Sequence, residues 1–323
     1  MTKRDPPHPD APRPRRARPG VDLVVAALNG AIGDHLARTH NGLATEMAFV
    51  VDGAPIRPGA LRARTPAAGP RIVVLVHGWM ANVALWADKD GEDFGTHLAQ
   101  DLGFTPLYVH YNSGRPIADN GADLSVRLDE VAAAWPDAEL VLLGHSMGGL
   151  VIRAATHDAS LRGAPWLAQV RHAIYVGTPH LGAPLERLGR VVTRVLRAVP
   201  DPITQLVGQI ADLRSSGVKD LGDADLRHED RSTQTFRLRD PRHPVPLLPG
   251  IAHHLIASAV VSDALGWFGD GVVPLESATG GDRLASPEAQ VDVRRIPGVS
   301  HVAMASDPLV YAEIRAALGG SNA

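Results

Sequence analysis

The residues best suited to chemistry form the segment GHSMGG at 144–149, which is a G-x-S-x-G pattern. It follows the apolar run 139–143 and precedes a stretch with helical spacing. This context predicts a sharp strand-to-helix turn that presents the Ser146 hydroxyl as a nucleophile. Glycines at 144 and 148 would let such a turn close without side-chain clashes. A Gly-Ser-Gly loop without chemistry is the alternative, and the flanking strand and helix favour catalysis.

A serine nucleophile needs a base that accepts its proton. Among the fifteen histidines we favour His301, because it lies in a loop after the predicted strand 291–296 and before the last helical pattern. In a parallel sheet that loop lies at the carboxyl edge, the same edge as Ser146. Other histidines near predicted strands are interpreted as structural or loop-shaping residues, and they are His77, His145, His180, His253 and His254.

The base in turn needs a carboxylate that orients it. Asp270 is preferred, because it lies in the loop GDGVVP at 269–274, after the predicted strand 255–261. Its position also produces the chain order Ser, Asp, His. Asp263 is the alternative, since it lies closer to the end of that strand. An aspartate before a glycine can also be an ordinary turn residue.

A second strand–loop junction, VHGWM at 76–80, follows the first buried strand. A glycine after the strand lets the backbone turn an amide into the cleft. We therefore expect the backbone N–H groups of Trp79 and Met147 to form an oxyanion hole. The side chains of Met80 and Leu181 are expected to contact the acyl part of a substrate.

The elements that must position these residues alternate along the chain. Short β-branched runs separated by helical patterns predict an α/β fold, with a mostly parallel central sheet and helices on both of its faces. The predicted strands are 47–51, 71–77, 107–111, 139–143, 173–176, 255–261 and 291–296, and the predicted helices are 21–40, 94–102, 122–135, 149–156 and 309–318.

One stretch interrupts this alternation and predicts an inserted helical cap at about 184–252. More than seventy residues separate two predicted strands there, too many for a structureless loop. An apolar stripe runs from Leu188 to Val199, and the opposite helix face carries Arg187, Arg190, Arg194 and Arg197. Packing of the stripe onto the body is the preferred interpretation. A lid that contacts acyl chains or a lipid surface is the second.

Composition limits the remaining choices. Residues 1–20 hold six prolines and six basic residues, which predicts a disordered basic tail before a single domain at 21–323. The chain has no cysteine, so thiol nucleophiles, disulfides and thiolate metal sites are excluded. A net charge of −3 argues against a nucleic-acid partner, and no apolar run is long enough to span a membrane. The basic segment precedes an apolar stretch at 21–32, but Asp22, Asn29 and Gly30 interrupt that stretch and no A-x-A cleavage pattern stands out. The sequence therefore favours a cytoplasmic location over export through the basic segment.

Six motifs together resemble the α/β-hydrolase superfamily, in particular its bacterial lipase and esterase branch. They are VHGWM (76–80), YNSGRPI (111–117), GHSMGG (144–149), GTPHLGAP (177–184), GDGVVPLESA (269–278) and GVSH (298–301). They are also similar to those of deacylases that remove a fatty acyl group from the inositol of GPI lipids.

The resemblance implies a triad of Ser146, Asp270 and His301, no cofactor, and hydrolysis of carboxylic esters or acyl lipids through an acyl-enzyme. Some superfamily lipases bind a structural metal, but no ligand cluster in this sequence assigns one. The same triad would serve an acyltransferase or thioesterase. A non-catalytic interaction module is a further alternative, and the presence of every triad candidate argues against it.

Overall fold

The computed structural model describes residues 19–65, 68–184, 220–221, 226, 245–259, 269–281, 284 and 288–319. The predicted tail at 1–20 and the predicted cap at about 184–252 lie almost wholly outside these residues. The arginine-bearing helix face and the alternative acid Asp263 also lie outside them. The domain boundaries therefore stay predictions.

A sheet of eight strands forms the centre of the described residues, in the order β2-β1-β4-β3-β5-β6-β7-β8. All neighbours from β4 to β8 are parallel, whereas β1 pairs antiparallel with both β2 and β4. This arrangement confirms the predicted α/β fold with a mostly parallel sheet. The strands are β1 (Ala48–Val51), β2 (Ala54–Pro55), β3 (Arg71–Val76), β4 (Thr105–His110), β5 (Glu139–His145), β6 (Val170–Val176), β7 (Ala252–Ala259) and β8 (Gln290–Pro297).

Helices cover both faces of the sheet. The described helices are α1 (Pro19–Arg38), α2 (Leu61–Arg64), α3 (Phe94–Leu102), α4 (Ile117–Ala134), α5 (Met147–Arg162), α6 (Leu275–Thr279) and α7 (Pro308–Gly319). Alternate residues of β3, which is buried from Ile72 to Val76, contribute to two separate cores. One core includes residues of α1, α4 and α5, and the other includes residues of α3 and α7. This two-sided burial explains why β3 reads as a continuous apolar run.

Element boundaries differ from the sequence-based ones where a distant residue caps or pairs an end. Helix α4 begins at Ile117 rather than 122, because the Ile117 N–H donates to the carboxylate of Asp220 at 3.0 Å. Strand β7 begins at Ala252, since its first residues pair with β6 and β8. Strand β1 is followed by a tight turn to β2, in which Asp52 and Gly53 both have positive φ.

Two further observations concern a lipid bilayer and a metal ion. In the part of the chain that the structure describes, no helix has both the length and the apolar character needed to cross a bilayer. Within the same residues, no group of three or more histidines and carboxylates is placed to hold a metal ion.

Candidate active site

The junction of β5 and α5 forms a strained elbow at Ser146. Its backbone has φ 54° and ψ −125°, a conformation that residues with a side chain seldom adopt. The Ser146 N–H donates to the carbonyl of Val176 at 2.8 Å, which fixes the turn to the neighbouring strand β6. The elbow therefore projects the serine side chain from the carboxyl end of the strand, at the positive end of α5.

Close backbone approaches explain the glycines around the elbow. A Cβ at Gly144 would lie 2.6 Å from the amide nitrogen of Gly149. A Cβ at Gly148 would lie 2.6 Å from the carbonyl oxygen of His77 and closer still to that of Val76. Real Cβ atoms do not reach such distances from backbone atoms, so both positions require glycine.

The structure brings the three predicted triad residues together. The Ser146 Oγ and His301 Nε2 atoms are 2.9 Å apart, and His301 Nδ1 lies 2.6 Å from Asp270 Oδ2. All three side chains are buried, with Ser146 7% exposed and Asp270 2% exposed. The backbone N–H of His301 also donates to the carbonyl of Asp270 at 3.0 Å, so the two loops are joined twice.

Asp270 is held in its ionised form by its surroundings. Burial alone would raise its pKa, but the nearby His301 and the hydrogen bonds to the carboxylate outweigh that effect and hold the pKa below its ordinary value. Its Oδ1 accepts from the N–H groups of Val272 and Val273, at 3.0 and 2.8 Å. The other oxygen is left to accept from His301 Nδ1–H, which leaves Nε2 free to accept a proton from the serine.

His145 supports the loop that carries His301. Its Nε2–H donates to the His301 carbonyl at 2.8 Å, and the two ring centroids are 4.9 Å apart. Burial lowers the pKa of His145 to about 3, so the ring is neutral at physiological pH. This contact supports the interpretation of His145 as a structural residue, because it joins the elbow to the loop that carries His301.

The loop after β3 lies directly beside the elbow. A Cβ at Gly78 would be 3.1 Å from the Cβ of Ser146. The amides of Trp79 and Met147, the predicted oxyanion donors, make no hydrogen bond to another described residue. The side chain of Met80 is buried, only 1% exposed, and its backbone has a positive φ of 56°.

The loop after β6 forms another wall of the site, and Ser277 on α6 anchors it. The amide of Leu181 donates to Ser277 Oγ at 3.1 Å, and the hydroxyl donates to the Gly182 carbonyl at 2.7 Å. The backbone N–H of His180 donates to the Ser277 carbonyl at 3.1 Å. Leu181 itself is half-buried. Sequence reasoning missed Ser277, although it lies within the motif GDGVVPLESA.

A buried arginine also lies behind this wall and was not anticipated. Arg153 donates to the carbonyl of Val245 at 2.6 Å, and its guanidinium lies 3.4 Å from His180 Nδ1. Burial lowers the pKa of Arg153 to about 10, which keeps it protonated at neutral pH. In the sequence, Arg153 lies in an apolar helical stretch and His180 lies in the segment GTPHLG. Neither position by itself indicates that the two side chains pair.

Comparison with known proteins places this arrangement in a family. A family model described as the alpha/beta hydrolase family matches residues 73–314. A Bacillus licheniformis lipase in its propeptide form has 20% identity and a TM-score of 0.50, with 80% of this chain and 51% of that chain covered. RedJ, a thioesterase of the prodiginine pathway in Streptomyces coelicolor, has 18% identity and a TM-score of 0.50 in its PEG-bound structure, with 78% and 94% covered.

At these identities the solved structures support the fold alone, and no curated protein sequence matches the chain. The family model, in contrast, spans well over half of the chain and includes the elbow, Asp270 and His301. The chain belongs to the alpha/beta hydrolase family.

Proposed function

We propose that the protein is a serine hydrolase that cleaves carboxylic esters through an acyl-enzyme on Ser146. The observation that carries the proposal is the continuous hydrogen-bonded chain from the Ser146 hydroxyl through His301 to Asp270. Nucleophile, base and orienting acid in this order are the requirements for acyl transfer to a serine.

Each residue has a defined task in the proposed reaction. Ser146 Oγ attacks the ester carbonyl while His301 Nε2 takes its proton, and the same proton then passes to the departing alkoxide. The ionised Asp270 stabilises the resulting imidazolium. The amides of Trp79 and Met147 are assigned to the oxyanion, and water attacks the acyl-enzyme in the second half of the cycle.

The acyl group is assigned to the side of the cleft bounded by Met80 and Leu181. An acyl lipid is a substrate consistent with this assignment if the predicted cap contributes apolar surface. Hydrolysis of p-nitrophenyl esters with short to long acyl chains would measure the preference.

Ser146→Ala tests the proposal directly. We expect it to lose at least about 10³-fold of p-nitrophenyl ester hydrolysis and all labelling by a fluorophosphonate, while the melting temperature stays nearly unchanged. Ser160→Ala is the matched control, because Ser160 is an exposed serine on the same helix α5. Retained activity in Ser146→Ala, or an inactive wild type, would contradict the proposal.

The same three residues would also cleave or transfer thioesters, and RedJ is described as a thioesterase. Matched oxygen and sulfur esters of one acyl group separate these reactions by their relative kcat/KM. Product analysis with an added alcohol distinguishes hydrolysis from transfer.

A further inference from the structure

The N-terminal helix α1 contacts the loop that carries the proposed oxyanion donor Trp79. The indole N–H of Trp79 donates to the carbonyl of Gly30 on α1 at 2.9 Å, in a buried setting. The helix is kinked at Ile32, where φ is −138° and ψ is 19°. The kink therefore lies between Gly30 and Gly33, the two glycines of the contact surface.

The contact is close enough to involve the backbones of both elements. A Cβ at Gly30 would lie 3.0 Å from the Cα of Met80 and would overlap its side chain. Met80 itself has a positive φ, so the loop bends sharply where the helix meets it. Any side chain at position 30 would force the loop or the helix to move.

The loop after β4 supports the same region from the other side. The amide of Met80 donates to Ser113 Oγ at 3.0 Å, and the Tyr111 hydroxyl donates to the carbonyl of His77 at 2.8 Å. Asn112 joins this loop to α1 through a 2.8 Å hydrogen bond to the carbonyl of Gly33. The segment 77–80 is thus held between α1 and the segment 111–113.

We propose that α1 is a positioning element for the oxyanion hole, acting through Trp79 and Gly30. The indole anchor and the proposed catalytic amide belong to the same residue, so the hydrogen bond to Gly30 restrains the position of the Trp79 backbone through its side chain. Because hydrogen bonds weaken steeply with angle and distance, a small displacement of this amide weakens stabilisation of the transition state more than binding of the substrate. The proposal rests on the proposed hydrolase function.

Trp79→Phe tests the anchor, since it removes the indole N–H and keeps an aromatic ring. We expect kcat for a p-nitrophenyl ester to fall about tenfold or more with KM within about twofold, because the affected group acts in the transition state. Trp166→Phe is the matched control: Trp166 is fully buried, and its indole N–H has no partner among the described residues.

Gly30→Ala tests the close approach, with Gly42→Ala as its control, because nothing lies within 4 Å of a Cβ at Gly42. The affinity of an alkyl boronic acid, which mimics the tetrahedral intermediate, should fall by the same factor as kcat/KM in both Trp79→Phe and Gly30→Ala. All rates are normalised to the serine titrated by a fluorophosphonate. Loss of folded protein alone therefore does not count as an effect.

The outcomes separate this inference from the function on which it rests. An inactive wild type whose serine is not labelled overturns the hydrolase proposal. An active wild type with Trp79→Phe and Gly30→Ala equal to their controls overturns the role of α1. A loss confined to KM, or to melting temperature, also overturns it. If Trp79→Phe does not fold, Asn112→Ala breaks the second hydrogen bond to α1 and must show the same selective loss of kcat.

Discussion

The two oxygens of Asp270 have separate tasks, and this division distinguishes a triad acid from a turn aspartate. One oxygen accepts from two backbone amides and the other from His301. An aspartate that only closed a turn would need only the hydrogen bonds from the two backbone amides. The hydrogen bond to His301, together with burial, makes Asp270 the residue whose replacement should affect chemistry.

Asp270→Asn should lower kcat by about 10⁴-fold, because an amide nitrogen would donate to His301 Nδ1 and so place the ring hydrogen on Nε2, which then cannot accept the serine proton. The melting temperature should fall only slightly, since the remaining oxygen still accepts from the loop amides. Steady-state ester hydrolysis and a thermal melt measure both effects. Asp263→Asn is the comparison, and a larger loss there than in Asp270→Asn would transfer the role to Asp263.

At the scale of elements, the elbow depends on the absence of side chains where α5 meets β3. Gly148→Ala should destabilise the protein by about 2 kcal/mol or more, because the new methyl meets backbone carbonyls that cannot rotate away. Thermal or urea unfolding measures this loss. Gly319→Ala at the end of α7 has open space around it and should change stability by less than about 0.5 kcal/mol.

Helix α4 depends on a cap from a distant part of the chain. Asp220 is 3% exposed and its carboxylate accepts from the first N–H of α4. Asp220→Ala should cost about 1–2 kcal/mol of unfolding free energy, because a buried amide loses its acceptor. Asp220→Asn keeps an acceptor oxygen and should lose much less. Equal losses in the two variants, measured by urea unfolding, would show that the cap contributes little.

The local pattern of apolar and polar residues predicted the strands and helices whose formation depends mainly on their own residues. The apolar runs that became β3 and β5 and the helix 94–102 are examples, and the strand–turn–helix context singled out Ser146. His301 followed from its place after the last strand. The choice between Asp270 and Asp263 was harder, because both follow β7 and neither position encodes which carboxylate reaches the base.

Contacts between residues that are far apart in the sequence could not be predicted from the local hydrophobic pattern. The capping of α4 by Asp220 spans 103 residues, and the contact of Ser277 with the wall loop spans 96. The packing of α1 on the loop after β3 depends on which helix face meets which loop, and hydrophobic spacing alone does not encode this. Tertiary placement, rather than local propensity, decides such features.

At the scale of the whole molecule, buried histidines make stability sensitive to mild acid. Burial lowers the pKa of His77 and His145 to about 3 and that of His253 to about 4, from an ordinary value of 6.5. The unfolded chain therefore binds protons near pH 6.5 while the folded chain does not. The stability is fully present above pH 6.5 and is lost as the pH falls toward 3–4.

Each such histidine should contribute a slope of about 1.4 kcal/mol per pH unit once the unfolded chain is protonated. We expect the free energy of unfolding to fall between pH 7.5 and 5.5, a range in which carboxylates stay ionised. His145→Gln should reduce the slope near pH 5.5 by about 1 kcal/mol per unit. An equal slope in the wild type and in His145→Gln would contradict the assignment.

The separation of the reacting residues along the chain has a consequence for biosynthesis. Ser146 and His301 are 155 residues apart, and His301, the proposed base, lies in the loop between β8 and α7. During translation the serine emerges from the ribosome long before its partner exists. Under the proposed mechanism its hydroxyl is until then an ordinary alcohol, and a nascent or prematurely terminated chain would not react with cellular esters. The proposed reactivity would be acquired only after β8 and the loop that follows it have been made.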